Sequence, residues 1–365
     1  MRKMQTNARQ TQSGIALIIV MVTITVLSIL VAGFAYSMKV ETKLAQNANS
    51  EVELTWLGRS GVEFARWVLA QQTTIPNEPY DALNQVWAGG NGGFGTTNSP
   101  LEGVSLKDYH LGDGSFSVTI TDLERKFNIN IADQTTLEQA LRLVGANPGD
   151  YTTIVNSILD WIDPDNATRV SGAESDYYQG LTPAYFAKNG PIDDLSELLL
   201  IKGVTPEIYW GCASTNHPPA GFKARLDPLA RQTEAPASPV GLVDLFTPIS
   251  AGRLNINTAS AQTLQMIRGV DSDVAEAIVA SRGGEDDGSG QTGPFRNLSA
   301  PYLWAKVPGL SLESICEIGR VCDVRSRTFE VQVDAEVAGY HRYFTAILGR
   351  SGPRDVQVLS FSWKE

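Results

Sequence analysis

Histidine and cysteine are scarce in this chain of 365 residues, with three of each. His110, His217 and His341 stand far apart, so neither a nucleophile-base pair nor a histidine metal site has material to build on. No phosphate loop, nucleophile elbow or zinc-protease helix motif occurs. Asp163 and Glu174 could be imagined as a glycosidase pair, but nothing around them reads as a sugar cleft, and the chain is expected not to be an enzyme. Cys212, Cys316 and Cys322 lack metal-site spacing. In an oxidising compartment Cys316 could pair with Cys322 and leave Cys212 over, but three single pairings exist and the sequence does not choose. Dense runs of Lys and Arg are missing as well, and the formal charge is -11. That excess argues against nucleic acid or anionic lipid as partners and in favour of cations.

What is abundant is concentrated at the N-terminus. The first fourteen residues carry Arg2, Lys3 and Arg9 and no acid, and residues 15–38 then run without a charge. Such a stretch is long enough to cross a bilayer as a helix. The positive-inside bias puts the short N-terminus in the cytoplasm and the body beyond Lys39 outside, in the periplasm. A small residue, Gly14, lies before the apolar stretch rather than after it, unlike an ordinary secretory signal. This order resembles the leader of type IV prepilins and pseudopilins, which a prepilin peptidase cuts after the glycine and methylates at the new N-terminus, here Ile15. An uncleaved signal anchor is the other reading of the same residues. The fifth position after the cut is Ile19, where most pilins carry a glutamate that pairs with a neighbour's amine. A subunit without that carboxylate suits a place where no neighbouring amine needs it, such as a filament tip.

Leu54, Leu57, Gly61, Phe64 and Val68 follow helical spacing, so the helix is expected to continue to about Gln71. A Gly-, Asn- and Pro-rich loop, residues 73–103, comes next. Strands are expected at 114–121, 328–337, 340–348 and 355–363, from their alternation and the turns between them. The intervening sequence reads as helices. It repeats itself: NINIADQTTL from Asn128 and NINTASAQTL from Asn255 share N-I-N-x-A-x-x-x-T-L, with Asn or Thr expected as helix N-caps. Gly203, Gly269 and Gly309 sit in apolar-Gly-apolar turns of helix-hairpin-helix character. Such turns can grip a phosphate backbone, but Glu207, Asp271, Asp273 and Glu313 surround them and few cations do. A Pro- and Ala-rich stretch, residues 217–241, is expected to be a surface loop or an interaction segment.

The densest functional candidate is DWIDPDNATRVSGAESDYY, residues 160–178. Asp160, Asp163, Asp165, Asn166, Glu174 and Asp176 offer oxygen ligands, and Pro164 and Gly172 break the helix so that a loop can fold around an ion. Oxygens without His or Cys suit a hard cation such as calcium; a solvated acidic loop fits the same composition.

D-W-I-D-x-D, then G-A-E-x-x-Y-Y, then NGPIDDLSELLLIKGVTPEIYWG from Asn189 closely resemble the K-type general secretion pathway proteins, the minor pseudopilins of type II secretion systems. The resemblance implies a structural calcium site with Asp163, Asp165, Glu174 and Asp176 as the best ligands, Asp160 and Asn166 following. It also implies a role in initiating or capping the pseudopilus tip during export of folded proteins. The expected partners are the I- and J-type minor pseudopilins, the major pseudopilin, prepilin peptidase and the inner membrane, with exoproteins and the outer-membrane channel as further contacts. The expected fold is α+β: a pilin-like long N-terminal helix on a small antiparallel sheet, with a large all-helical insertion of helix-hairpin-helix-like repeats. The expected divisions are a leader at 1–14, a span at 15–38, the continued helix at 39–71, a first αβ section at 72–126, the insertion at 127–325 and closing strands at 326–365.

Overall fold

The computed structural model describes residues 12–93, 96–211, 240–284 and 292–364. Among them the elements begin with α1 (Gln12–Gln72), β1 (Tyr109–Leu111), β2 (Gly114–Asp122), β3 (Phe127–Asn128), α2 (Gln134–Leu143), α3 (Tyr151–Ile162), α4 (Ser175–Gln179) and α5 (Pro206–Trp210). There follow α6 (Leu242–Leu245), β4 (Phe246–Thr247), β5 (Leu254–Asn255), α7 (Ala261–Leu264), α8 (Ser272–Arg282), α9 (Ala300–Lys306) and α10 (Leu312–Val321). The chain closes with β6 (Cys322–Asp323), β7 (Thr328–Val337), β8 (Tyr340–Gly352) and β9 (Asp355–Lys364).

Helix α1 has 61 residues and a length of about 90 Å at the usual rise per residue. Its first part, from Ile15, is apolar and exposed all round, and is long and apolar enough to cross a membrane. Its second part buries Leu54, Leu57, Val62, Ala65, Val68 and Leu69 against the sheet, in line with the apolar stripe. Two glycines let the backbone come close. A Cβ on Gly58 would lie 2.4 Å from the Phe344 ring, and one on Gly61 would lie 2.5 Å from Val333 Cγ1.

The sheet has the order β1-β2-β7-β8-β9, antiparallel throughout. Phe116, Val118 and Ile120 of β2, Phe329, Val331, Val333 and Ala335 of β7, and Phe344, Ala346 and Leu348 of β8 all turn to α1, because alternate residues of a strand share a face. Strand β1 is an addition to the expected set, and β8 runs four residues further than expected. The expected loop at residues 73–103 is not wholly exposed. It lays Tyr80, Trp87 and Leu101 into the core, Trp87 edge to face with Phe329.

Between β2 and β7 lies the helical part, which has a hydrophobic core of its own running from Phe127 to Cys322. It is not all-helical as expected: β3 pairs in parallel with β4, and β5 with β6. The sequence repeat is also a structural one. Asn130 donates to Ile192 O and accepts from Ile192 N, at 3.0 and 2.7 Å. Asn257 does the same with Phe295, again at 3.0 and 2.7 Å. The expected caps hold in part: Asn128 caps the 3-10 turn Ile129–Ile131 by accepting from Asn130 N, but the α-helices are capped by other residues. Asp133 and Ser260, three residues beyond Asn130 and Asn257, cap α2 and α7, while those two asparagines clamp distant backbone. Gly203, Gly269 and Gly309 all have positive φ, as tight interhelical turns require.

Cys316 and Cys322 are not joined; both are free thiols. Cys316 is exposed on α10 whereas Cys322 is buried where the chain leaves that helix, and six residues along a helix carry a side chain to a different face. Cys212 and nearly all of the 217–241 segment lie outside the described residues.

The two cores meet across a buried polar junction. Asp122 Oδ2 accepts from Thr258 Oγ1, Ser326 Oγ and Asn255 Nδ2 at 2.5, 2.6 and 3.1 Å. Alongside, Arg350 is paired with Asp81, and Asp81 Oδ2 also accepts from Ser326 N at 2.9 Å.

Candidate metal centre

Helix α3 ends with acids at the wrong pole. Asp160 lies in its last turn and Asp163 is its C-cap, where the helix dipole disfavours negative charge. The apolar face of the same helix, Ile154, Val155, Ile158 and Trp161, is buried and fixes its orientation. Pro164 follows, and the chain loops outward until Glu174 starts the short helix α4. Tyr178 on α4 packs edge to face on Trp161, which returns the loop to α3.

This geometry brings Asp163, Asp165 and Glu174 together. One carboxylate oxygen of each lies within 4.8 Å of the others. Glu174 is 3% exposed, yet neither of its oxygens has a hydrogen-bond partner among the described residues. Asp163 Oδ1 and Asn189 Oδ1 are likewise buried without a partner. Buried carboxylate oxygens are normally satisfied, so unpartnered ones gathered at one point fit a cation. Burial pushes the Glu174 carboxyl above its ordinary range, and repulsion from Asp160, Asp163 and Asp165 adds to it. A divalent ion would remove both costs, and the all-oxygen donor set suits calcium rather than zinc.

The other residues expected as ligands lie outside the three-carboxylate group. Asp160 is fully buried; its Oδ1 accepts from Arg169 Nη1 at 2.7 Å and its Oδ2 from Ala173 N at 3.0 Å. Asn166 Oδ1 accepts from Asn189 Nδ2 at 3.0 Å. Asp176 lies exposed in the first turn of α4 and is not part of the three-carboxylate group. Two residues that a search for acids passes over are bonded to this loop. Asn189 donates to Asp165 O at 2.6 Å, and the Arg169 guanidinium bridges Asp160 and Asp163. Both carboxylates hold that guanidinium in its charged form.

The helix-hairpin-helix turns leave Gly203, Gly269 and Gly309 exposed, and the one at Gly269 is tied to α10. Gly269 O accepts from Ser314 Oγ at 2.6 Å, and a Cβ on Gly269 would lie 3.1 Å from that hydroxyl. Arg268 is paired with Glu313.

Known proteins resemble the chain in sequence and in fold. Residues 120–212 match the family model for protein K of the type II secretion system, and residues 250–298 match the helix-hairpin-helix motif. Type II secretion system protein K of Klebsiella pneumoniae is 24% identical over 211 residues, 54% of this chain and 60% of that protein. The protein K of Pseudomonas aeruginosa is 28% identical over 295 residues, 76% of this chain and 74% of that one. The matched part thus spans about 60% of the length of the Klebsiella relative. Among solved structures, the GspK-GspI-GspJ complex of the enterotoxigenic Escherichia coli type 2 secretion system contains a chain of similar fold. The TM-score is 0.60 at 18% identity, over 88% of this chain and 99% of that one.

Proposed function

We propose that this chain, a relative of the K proteins of type II secretion systems, is a minor pseudopilin that stands at the tip of a pseudopilus and serves export of folded proteins from the periplasm. The observation that carries the reading is a coincidence of place. The protein K match, residues 120–212, contains the three clustered carboxylates and the first half of the helical part that sets this chain apart from a plain helix-on-sheet fold.

The exposed apolar part of α1 anchors the chain in the inner membrane with its N-terminus cytoplasmic, since Arg2, Lys3 and Arg9 precede the span. Prepilin peptidase cuts between Gly14 and Ile15. The rest of α1 and the sheet form a pilin-like body, and partners of the I and J types pack beside it. Ile19 in place of a glutamate, together with the bulk of the inserted helices, suits a subunit with nothing above it. The major pseudopilin then lies below, and the exoprotein and the outer-membrane channel are met from the tip. Asp163, Asp165 and Glu174 hold a calcium ion with a structural role, tying the loop to α3. DNA binding through the hairpins is disfavoured by the acids around their turns, one of which, Glu313, pairs with Arg268, and by the charge of -11.

Intact mass and N-terminal sequencing of the chain from membranes of cells with and without prepilin peptidase test the assignment. A chain starting at methylated Ile15 only when the peptidase is present is expected. An unprocessed Met1 in both cells contradicts it.

A further inference from the structure

The acidic loop has two halves, Asp163 with Asp165 before its bend and Glu174 after it, and an ion needs both at a fixed separation. A series of hydrogen bonds through Asp160 and Arg169 connects them. Arg169 Nη1 donates to Asp160 Oδ1 at 2.7 Å and to Asp163 Oδ2, while the Arg169 amide donates to both oxygens of Asp160 at 3.3 and 3.2 Å. Asp160 Oδ2 in turn accepts from Ala173 N at 3.0 Å, one residue before Glu174. The closure is tight: a Cβ on Gly172 would lie 2.0 Å from Asp160 Oδ2. Asp163, Arg169, Asp160, Ala173 and Glu174 are thereby linked in series. Arg169 takes one oxygen of Asp163 and leaves the other, Oδ1, buried and unpartnered. Lys202 Nζ reinforces the bend from outside by donating to Ser171 O and Gly172 O at 3.2 and 3.0 Å.

We propose that Arg169 is a positioning residue of the metal centre: by bridging Asp160 and Asp163 it fixes the Asp163 carboxylate against the same Asp160 that holds Ala173 beside Glu174, so that Asp163, Asp165 and Glu174 can share one divalent cation. The inference rests on the calcium reading above. Its sign is opposite to that of simple electrostatics. A cation beside the ligands repels the ion, so removing its charge alone would tighten binding. A bridge that sets ligand geometry weakens binding when it is lost, as outer partners of metal ligands do.

The test is calcium titration calorimetry on the full chain in detergent, for wild type, Arg169→Gln and Arg169→Lys, with thermal melts in chelator. The expected result is calcium uptake by wild type and a Kd raised by about tenfold or more in Arg169→Gln. Arg169→Lys, which keeps a donor able to bridge, is expected between the two. A merely structural residue would lower the melting temperature in chelator and leave the calcium Kd, measured well below the melt, where it was. An unchanged or tighter Kd in Arg169→Gln overturns the inference while the calcium reading stands. If wild type takes up no calcium, the metal reading itself falls. Should Arg169→Gln not melt cooperatively, Arg169→Lys decides alone: a raised Kd supports the bridge and an unchanged one rejects it.

Discussion

At the scale of residues, the chain keeps carboxylates where water cannot reach them. Asp122 and Glu124 lie in the junction between the two cores, and burial pushes their carboxyls up to about 6 and about 7. Donors from Ser326 and Thr258 to Asp122, and from Arg327 N and Ala251 N to Glu124, hold them back from rising further. Both values exceed those of an unfolded chain, so between pH 4 and 7 the folded protein binds protons that the unfolded one has released. Stability from these two groups is therefore complete below the ordinary carboxylate range and is lost as pH rises through 6 and 7. For Glu124 the whole effect is on the order of 3 kcal/mol as an upper bound. Thermal melts of the full chain from pH 5 to 8 are expected to show a falling melting temperature, with a flatter slope in Glu124→Gln. An equal slope in that variant would sink this account of the junction.

Among elements, α1 carries the packing argument. Period 3.6 made its buried stripe legible in the sequence from Leu54 to Val68, and period 2 gave β2, β7 and β9 almost to the residue. What escaped lacked a period. β1 is three exposed residues, and its pairing with β2 is not written in their character. The repeated asparagines were legible as a repeat but not as backbone clamps, because their partners, Ile192 and Phe295, stand 62 and 38 positions away. The acids of residues 163–174 were legible as a group able to gather at one point. Arg169, which binds Asp160 and Asp163, was not, since a ligand search looks only for oxygen donors. Gly61 marks where the stripe meets β7, and Gly61→Val would drive a branched side chain into Val333. A loss of about 1–3 kcal/mol is expected from this overpacking, read as a lower midpoint in denaturant titration. An unchanged midpoint would mean that α1 does not bear on the sheet as described.

Taken whole, the molecule joins an apolar helix able to cross a membrane, a sheet packed on that helix's far half, and a helical part carrying the acidic loop. The two cores are fastened through Asp81, Asp122, Asn255, Ser326 and Arg350 rather than by a flexible linker, so that load taken by the helical part would pass to α1. The most direct measurement of the proposed role is the protein content of culture medium and periplasm in the native host with the chain's gene deleted, and with it restored. The account predicts that folded cargo stays in the periplasm in the deletion and returns to the medium on complementation. Unaltered release of every secreted protein in the deletion would contradict it.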